Sequence, residues 1–122
     1  MLFRKNEKRT TSDIGKSAED KAADYLIKQG FNIIDRNFSA KTGEIDLIAL
    51  NNLTLVFVEV KFRKSAQFGQ PYETVTRNKQ QKIIRTAQTY LQKHKKHANK
   101  ACRFDIISIL NNDITWLKHA FE

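Results

Sequence analysis

The chain has 122 residues, the size of one domain, and its composition, 40% hydrophobic and 29% charged, is that of a folded globular protein. Its 22 lysines and arginines exceed its 13 acidic residues, and the net charge of +9 favours a polyanionic partner, nucleic acid before an anionic membrane surface. The sequence contains neither the ~18 consecutive apolar residues of a membrane span nor the apolar stretch of a signal peptide, and its single cysteine excludes an internal disulfide, so we expect a cytoplasmic protein with no membrane partner.

The N-terminal part predicts an arm, a helix and a strand. Residues 1–12 are polar and basic and are expected to form a flexible arm before a single domain over residues 13–122. Apolar residues at helical spacing predict a helix over residues 13–29, ended by the glycine that follows. Glu19, at the margin of the apolar stripe, either leans over a neighbouring sheet or is a solvated helix acid. Residues 31–35 predict a strand, after which residues 36–38 lead into a loop over residues 39–43. Arg36 either pairs with Asp46, Glu44 or a phosphate or is a surface arginine.

Charged residues interrupt the two most apolar strands of the sequence, which are predicted over residues 43–50 and 55–63 and joined by the polar break Asn51-Asn52. Asp46 lies in the middle of the first strand, and Glu59 and Lys61 lie near the end of the second. A buried charge costs several kcal/mol unless it is paired, protonation-shifted or bound to a metal. These residues therefore mark a candidate site.

The register of this hairpin decides whether the acids meet. Glu59, Lys61 and Arg63 share one face of their strand because side chains alternate with a period of two. An even-numbered loop places Asp46 on that face, opposite Phe57 or Glu59, where two carboxylates are close enough to share one cation, whereas an odd-numbered loop sends Asp46 to the other face. The alternative is a buried acid–lysine network that only fixes strand register, although two acids and one lysine would leave that network negatively charged.

The C-terminal half predicts a loop, a second helix and two strands. The loop over residues 64–72 begins beside the candidate site. A helix over residues 76–93, capped by Thr74 or Thr76, carries a basic arc that either follows a phosphate backbone or is simply a solvated face. 

The strand over residues 103–110 has two apolar faces, as in a mixed sheet covered by helices on both sides. Asp105 within it is expected to orient Arg103 or a loop. A final edge strand over residues 114–121 could pair across a two-fold axis, which would allow a homodimer.

Two resemblances add to this interpretation. Asp46, a gap of twelve residues and Glu59-Val60-Lys61 resemble the PD-(D/E)xK nuclease motif, with Ile45-Asp46 in the place of Pro-Asp. Over roughly residues 15–108, the chain resembles the YraN family of nuclease-like bacterial proteins. The segments that carry this second resemblance are RNF at 36–38, GEIDLIA at 43–49, VFVEVKFR at 56–63 and RFDII at 103–107.

The resemblance implies an α/β fold with a restriction-endonuclease-like α-β-β-β-α-β core, in which helices flank a mixed central sheet. It also implies a site for Mg²⁺ or Mn²⁺ formed by Asp46, Glu59 and the main-chain carbonyl of Val60, with Glu19 bound directly or through water. Lys61 would orient or deprotonate the attacking water. Gly43 and Glu44 would support the site. The basic residues expected to contact nucleic acid are Arg36, Arg63, Lys64, Lys79, Lys82 and Arg85.

The function expected from these observations is metal-dependent hydrolysis of phosphodiester bonds in nucleic acid, with DNA favoured over RNA. Selectivity for a branched structure is one form that this activity takes in relatives of the fold. Two other functions stay open. One is a nucleic-acid-binding module without turnover, and the other is an accessory protein that binds a protein or ribonucleoprotein partner through its basic face.

Overall fold

The computed structural model describes residues 11–63 and 75–122, and within them five strands form one mixed sheet in the order β1-β2-β3-β4-β5. Strands β3 and β4 are parallel, and the other neighbouring pairs are antiparallel. The predicted α/β class with a mixed central sheet is confirmed. In chain order the elements are α1 (Thr11–Lys28), β1 (Asn32–Ala40), β2 (Gly43–Asn51), β3 (Thr54–Arg63), α2 (Arg77–Lys93), a 3₁₀ turn (Lys95–His97), β4 (Ala101–Leu110) and β5 (Asp113–Phe121).

The two helices cover opposite faces of the sheet. On one face, Ala22 and Leu26 of α1 pack with Val56 and Val58 of β3 and with Ile107 of β4. On the other face, the second apolar cluster comprises Ile83, Ala87 and Tyr90 of α2, Leu55 and Phe57 of β3, and Ile106 of β4. Successive residues of the central strands thus pack into different apolar cores. Burying each aliphatic side chain stabilises the folded protein by roughly 1.5–3 kcal/mol. The prediction that β4 is buried on both faces is confirmed.

Local signals explain where the helices begin and end. Gly30, at φ 93, ends α1 in a left-handed conformation, and the Phe31 N–H bonds back to the Leu26 carbonyl at 3.0 Å. The Thr76 side chain caps α2 by accepting a hydrogen bond of 3.2 Å from the Lys79 N–H, as predicted for this position. No helix in the described part of the chain is long and apolar enough to cross a membrane.

The β2–β3 hairpin has the even-numbered loop that a meeting of the two acids requires. Leu47 pairs with Val58 and Leu50 with Leu55, and Asp46 and Glu59 are the residues that directly follow the Leu47–Val58 pair at the end of this paired segment. The turn is one residue later than the predicted break, since Asn51 still pairs with Thr54. Asn52, at φ 54, supplies the left-handed residue that a two-residue hairpin turn requires.

The alternation of β2 is broken at Asp46. Ile45 packs in the cluster beneath α2, whereas Leu47 packs in the cluster beneath α1, although residues two apart normally share a face. Asn37, which lies opposite Asp46 on β1, has φ 53. The candidate site is therefore built at an irregularity in the sheet, where a side chain can leave the regular pattern.

Some predicted boundaries differ from the structure. The first strand was predicted over residues 31–35, but β1 continues to Ala40 because it pairs with β2 through the segment predicted as a loop. Helix α1 begins at Thr11, inside the predicted arm, and the rest of that arm lies outside the described residues. The predicted loop over residues 64–72 also lies outside them.

Buried polar contacts fasten β5 to the sheet. Asp105 is fully buried, and each of its two carboxylate oxygens accepts a 2.9 Å hydrogen bond from the Arg103 guanidinium. The same carboxylate accepts hydrogen bonds from the Trp116 indole at 2.8 Å and from the His119 N–H at 2.9 Å. The prediction that Asp105 orients Arg103 is confirmed, and the network holds β5 at the irregularity between Phe104 and Ile106.

Candidate active site

Half-buried Asp46 and buried Glu59 bring two carboxyl groups together on neighbouring strands. Asp46 Oδ2 accepts a 2.8 Å hydrogen bond from the Val60 N–H, and the Asp46 carboxyl group also hydrogen-bonds to Glu59. Glu59 is only 5% exposed. Two negative charges so close together in a buried place would repel each other strongly, so a proton, an ammonium or a metal ion must neutralise them.

A shared proton neutralises part of this charge. Burial, followed by the hydrogen bond to Glu59 and the charge of Glu59, raises the pKa of Asp46 to about 8. Burial alone would also raise the pKa of Glu59, but the hydrogen bond from Asp46 and the contact with Lys79 outweigh it and lower that pKa. At neutral pH the pair therefore shares one proton, and the raised pKa of Asp46 favours this proton on Asp46.

Lys61 lies beside the pair, as the sequence predicts. Burial lowers the pKa of Lys61, and the nearby ammonium of Lys79 lowers it further, against the opposing effects of Glu59 and Asp46. Lys61 is half-buried at the end of β3, on the same face as Glu59. An amine with a lowered pKa is a stronger candidate for proton transfer at neutral pH than an ordinary lysine.

Lys79 belongs to this cluster, although the sequence predicted it only as part of a basic helix face. Its Nζ lies 2.6 Å from Glu59 Oε2. Burial would lower the pKa of Lys79, but the contact with Glu59 outweighs it and raises the pKa. No spacing rule links the first turn of α2 to the end of β3, so the only signal for this contact is the tertiary placement of the helix.

Glu19 lies near the pair, and its predicted role as a metal ligand stays a prediction. Burial raises the pKa of Glu19 despite a hydrogen bond with Asn37, and its charge in turn raises the pKa of Asp46. Among residues 11–63 and 75–122, no group of three or more acidic, histidine or cysteine side chains is placed to hold a metal ion. The acids that lie together are thus Asp46 and Glu59, with Glu19 at their margin.

The supporting residues join the site to α2. Gly43 begins β2 at φ 147, and a Cβ there would lie 3.5 Å from Thr86 Oγ1 and 3.8 Å from Lys82 Cβ. The Thr42 and Thr86 hydroxyl groups are 2.7 Å apart, so the β1–β2 turn docks on α2. Glu44 is exposed and accepts a 3.3 Å hydrogen bond from Ser39.

The other predicted basic residues differ in their environment. Arg36 pairs with Asp20 at 2.6 Å and is partly exposed, which matches the alternative of a surface arginine. Arg63 is buried. Lys82 and Arg85 are exposed on α2. Lys64 lies outside the described residues, so its predicted contact with nucleic acid stays a prediction.

Comparison with known proteins adds a family to this geometry. Residues 18–109 match the model of the uncharacterised protein family UPF0102. The chain is 47% identical over 110 residues to a UPF0102 protein of Saccharophagus degradans, an alignment that covers 90% of this chain and 93% of the relative. A Persephonella marina relative is 49% identical over 108 residues, with 88% and 92% coverage. A Coxiella burnetii relative is 48% identical over 113 residues, with 92% and 94% coverage.

Proposed function

This chain belongs to the uncharacterised protein family UPF0102, the YraN family expected from its motifs, and from its acidic pair we propose that it is a metal-dependent nuclease. The proposed substrate is a phosphodiester in nucleic acid, with DNA favoured over RNA, and the proposed compartment is the cytoplasm. One observation carries the proposal: Asp46 and Glu59 meet in a buried place next to the amino group of Lys61.

The order of helices and strands also supports this proposal. The order α1-β1-β2-β3-α2-β4 agrees with the α-β-β-β-α-β core expected of restriction-endonuclease-like proteins. The acids and the lysine lie on the two central antiparallel strands, β2 and β3, which is where the PD-(D/E)xK motif would be. We include membership in that nuclease superfamily in the proposal.

The donor set fits a hard divalent cation. Mg²⁺ is commonly held by one or two carboxylates and completed by water and substrate phosphates, so a third acid is not required. Among the described residues, Glu59 Oε2 has no polar partner except the ammonium of Lys79, whose place a divalent cation would take. Asp46, Glu59 and the Val60 carbonyl would hold Mg²⁺ or Mn²⁺, with Glu19 acting through water. The bound ion would lower the pKa of a water and neutralise charge on the phosphate.

Lys61 is the group of this chain proposed to move the proton. Its lowered pKa leaves a larger share of its amines unprotonated at neutral pH than for an ordinary lysine, so Nζ can accept the proton of the attacking water. Once protonated, the same ammonium would stabilise the negative charge that builds on the phosphate. One side chain would thus serve both steps.

The nucleic acid is proposed to follow α2. Lys82 and Arg85 are exposed on this helix, and Lys79 in its first turn forms the ion pair with Glu59. The exposed Lys41 extends the positive charge onto the β1–β2 turn that docks on α2. Electrostatic contacts of this kind fix the backbone of a nucleic acid without reading its sequence.

Binding without turnover is the second candidate function. It is favoured by the arrangement of the acids, which within the described ranges do not form a three-ligand group, and by Lys79, which already pairs with Glu59. In that case the basic surface would bind nucleic acid while the buried cluster served the fold alone.

A cleavage assay separates the two functions. Branched, single-stranded and duplex DNA are incubated with Mn²⁺ and the wild type, Lys61→Ala, Asp46→Asn or Lys21→Ala, the last being an exposed lysine on α1. We expect the wild type and Lys21→Ala to cleave equally, and the other two variants to lose about 100-fold or more in rate. Binding without cleavage by the wild type would favour the second candidate. Cleavage that survives in Lys61→Ala would indicate a contaminating nuclease.

A further inference from the structure

The backbone of Lys79 is fixed in the first turn of α2. Its N–H donates a 3.2 Å hydrogen bond to the capping Thr76 hydroxyl group. The next residue, Gln80, bonds back from its side-chain amide to the Val75 carbonyl at 3.0 Å. The start of the helix therefore holds Lys79 at the edge of the candidate site, while its long side chain keeps its own rotational freedom.

The contact between Lys79 and Glu59 joins a half-exposed cation to a buried anion. The Lys79 side chain is 43% exposed and the Glu59 side chain 5% exposed, with 2.6 Å between Nζ and Oε2. The lysine can leave this contact toward solvent, whereas the glutamate cannot. Lys61 and Lys79 also lie close enough to shift each other's pKa, so two lysines lie beside the two carboxyl groups.

We propose that Lys79 is an internal counter-ion that occupies the place of the divalent cation at Glu59 and is displaced when that cation binds. The inference rests on the proposed function, because it takes Asp46 and Glu59 as the metal ligands. An ammonium 2.6 Å from a carboxylate repels any cation that approaches the same oxygen, and a doubly charged ion must outcompete it. In the absence of metal, the same ammonium keeps the Glu59 charge from being buried without a partner.

The displaced ammonium would gain a second role. Because α2 holds the Lys79 backbone beside the site, its amino group stays within a side chain's length of the place where a phosphate would bind. A cation freed from Glu59 there would bind a non-bridging phosphate oxygen. Lys79 would thus pair with Glu59 in the metal-free protein and with a phosphate of the nucleic acid in the metal-loaded protein.

The first test measures Mn²⁺ affinity without any nucleic acid. Electron paramagnetic resonance of free Mn²⁺ is used to titrate the wild type, Lys79→Met, Lys79→Arg and the matched control Lys82→Met, an exposed lysine on the same helix. An adjacent charge changes the proton affinity of a carboxylate about tenfold to a thousandfold, so we expect Lys79→Met to bind Mn²⁺ about tenfold more tightly. Lys79→Arg and Lys82→Met should keep the wild-type affinity. If Lys79 only stabilised the fold, Lys79→Met would instead lower the stability of the protein and leave its Mn²⁺ affinity unchanged or weaker.

The second measurement uses the wild type, so it does not depend on a variant that folds. A short treatment with an amine-acylating reagent is followed by mass spectrometry of the peptides, with and without Mg²⁺. We expect Mg²⁺ to increase acylation of Lys79 and to leave that of Lys82 unchanged.

The outcomes separate the two proposals. Equal Mn²⁺ affinity of the wild type and Lys79→Met, or no effect of Mg²⁺ on Lys79 acylation while Mn²⁺ binds, would overturn the counter-ion role alone. A lack of Mn²⁺ binding in every variant would overturn both the counter-ion role and the metal-dependent function.

Discussion

Asp46 keeps its proton near neutral pH because it is buried beside Glu59, and this makes the stability of the fold depend on pH. The pKa of Asp46 is raised to about 8 in the folded protein. In an unfolded chain an aspartate loses its proton near pH ~3.9. Between these two values the folded protein binds more protons than the unfolded chain, so the free energy of unfolding falls as the pH rises.

Replacing Asp46 by asparagine should remove this loss. The amide of Asp46→Asn can still accept from the Val60 N–H and donate to Glu59, as the protonated acid does. From pH ~5 to pH ~8, the stability of the variant relative to the wild type should increase by at least about 1 kcal/mol, since one pKa unit corresponds to about 1.4 kcal/mol. Urea unfolding at several pH values measures the difference. Asp24→Asn, on the exposed side of α1, is the control. Parallel curves for Asp46→Asn and the wild type would contradict the protonated pair.

At the scale of single elements, the start of α2 matters because it carries Lys79 to the site. Thr76→Ala removes the capping hydroxyl group, which accepts a hydrogen bond from the Lys79 N–H. It should lower the free energy of unfolding by about 1 kcal/mol, the usual cost of losing a cap. Thr89→Ala is the matched control, because the Thr89 hydroxyl group donates a 3.3 Å hydrogen bond to the Arg85 carbonyl within the helix and alanine favours helix. Equal stability of the two variants would exclude a stabilising role for the cap.

The β4–β5 connection gives a second prediction at this scale. Asp105→Ala would leave Arg103 and the Trp116 indole without their common acceptor. Because one partner of a buried ion pair is removed, we expect a loss of about 3–5 kcal/mol. Asp113→Ala, exposed at the start of β5, should change stability by less than about 0.5 kcal/mol. A small effect of Asp105→Ala in thermal unfolding would show that the network contributes little.

Local patterns predicted the elements better than their meeting points. The Thr76 cap, the apolar stripes of both helices and the alternation of β3 are properties of neighbouring residues, and the structure follows them. The continuation of β1 to Ala40 depends on pairing with β2, so local composition alone predicted a loop there. The sequence left the hairpin register open between an even-numbered and an odd-numbered loop, because the position of the turn decides it.

In the candidate site, too, the residues were predicted better than their tertiary contacts. Asp46, Glu59 and Lys61 were predicted because charges stand out in apolar strands. Lys79 was missed as a site residue because its contact depends on how α2 lies over the sheet, which no spacing within the helix encodes. Glu19 was expected to bind the metal directly or through water, and α1 places it at the margin of the pair, where its charge raises the pKa of Asp46.

For the whole molecule, the net charge of +9 predicts salt-sensitive binding of nucleic acid. The logarithm of the binding constant should fall linearly with the logarithm of salt concentration, by about 0.9 for each phosphate contacted. Lys82→Ala and Arg85→Ala should each weaken binding and reduce this slope by about 1, whereas Lys21→Ala on α1 should not. Fluorescence anisotropy at four salt concentrations measures the slopes. Binding that is insensitive to salt would favour a protein partner for the basic face.

Asp46 on β2 and Glu59 on β3 are proposed to form a cation site. Crystals soaked in Mn²⁺ and measured near the manganese absorption edge test it most directly. We predict an anomalous density peak between the carboxyl groups of Asp46 and Glu59, with the Lys79 side chain turned away from Glu59. A fully soaked crystal with no peak beside Asp46, or with manganese bound only elsewhere, would contradict it.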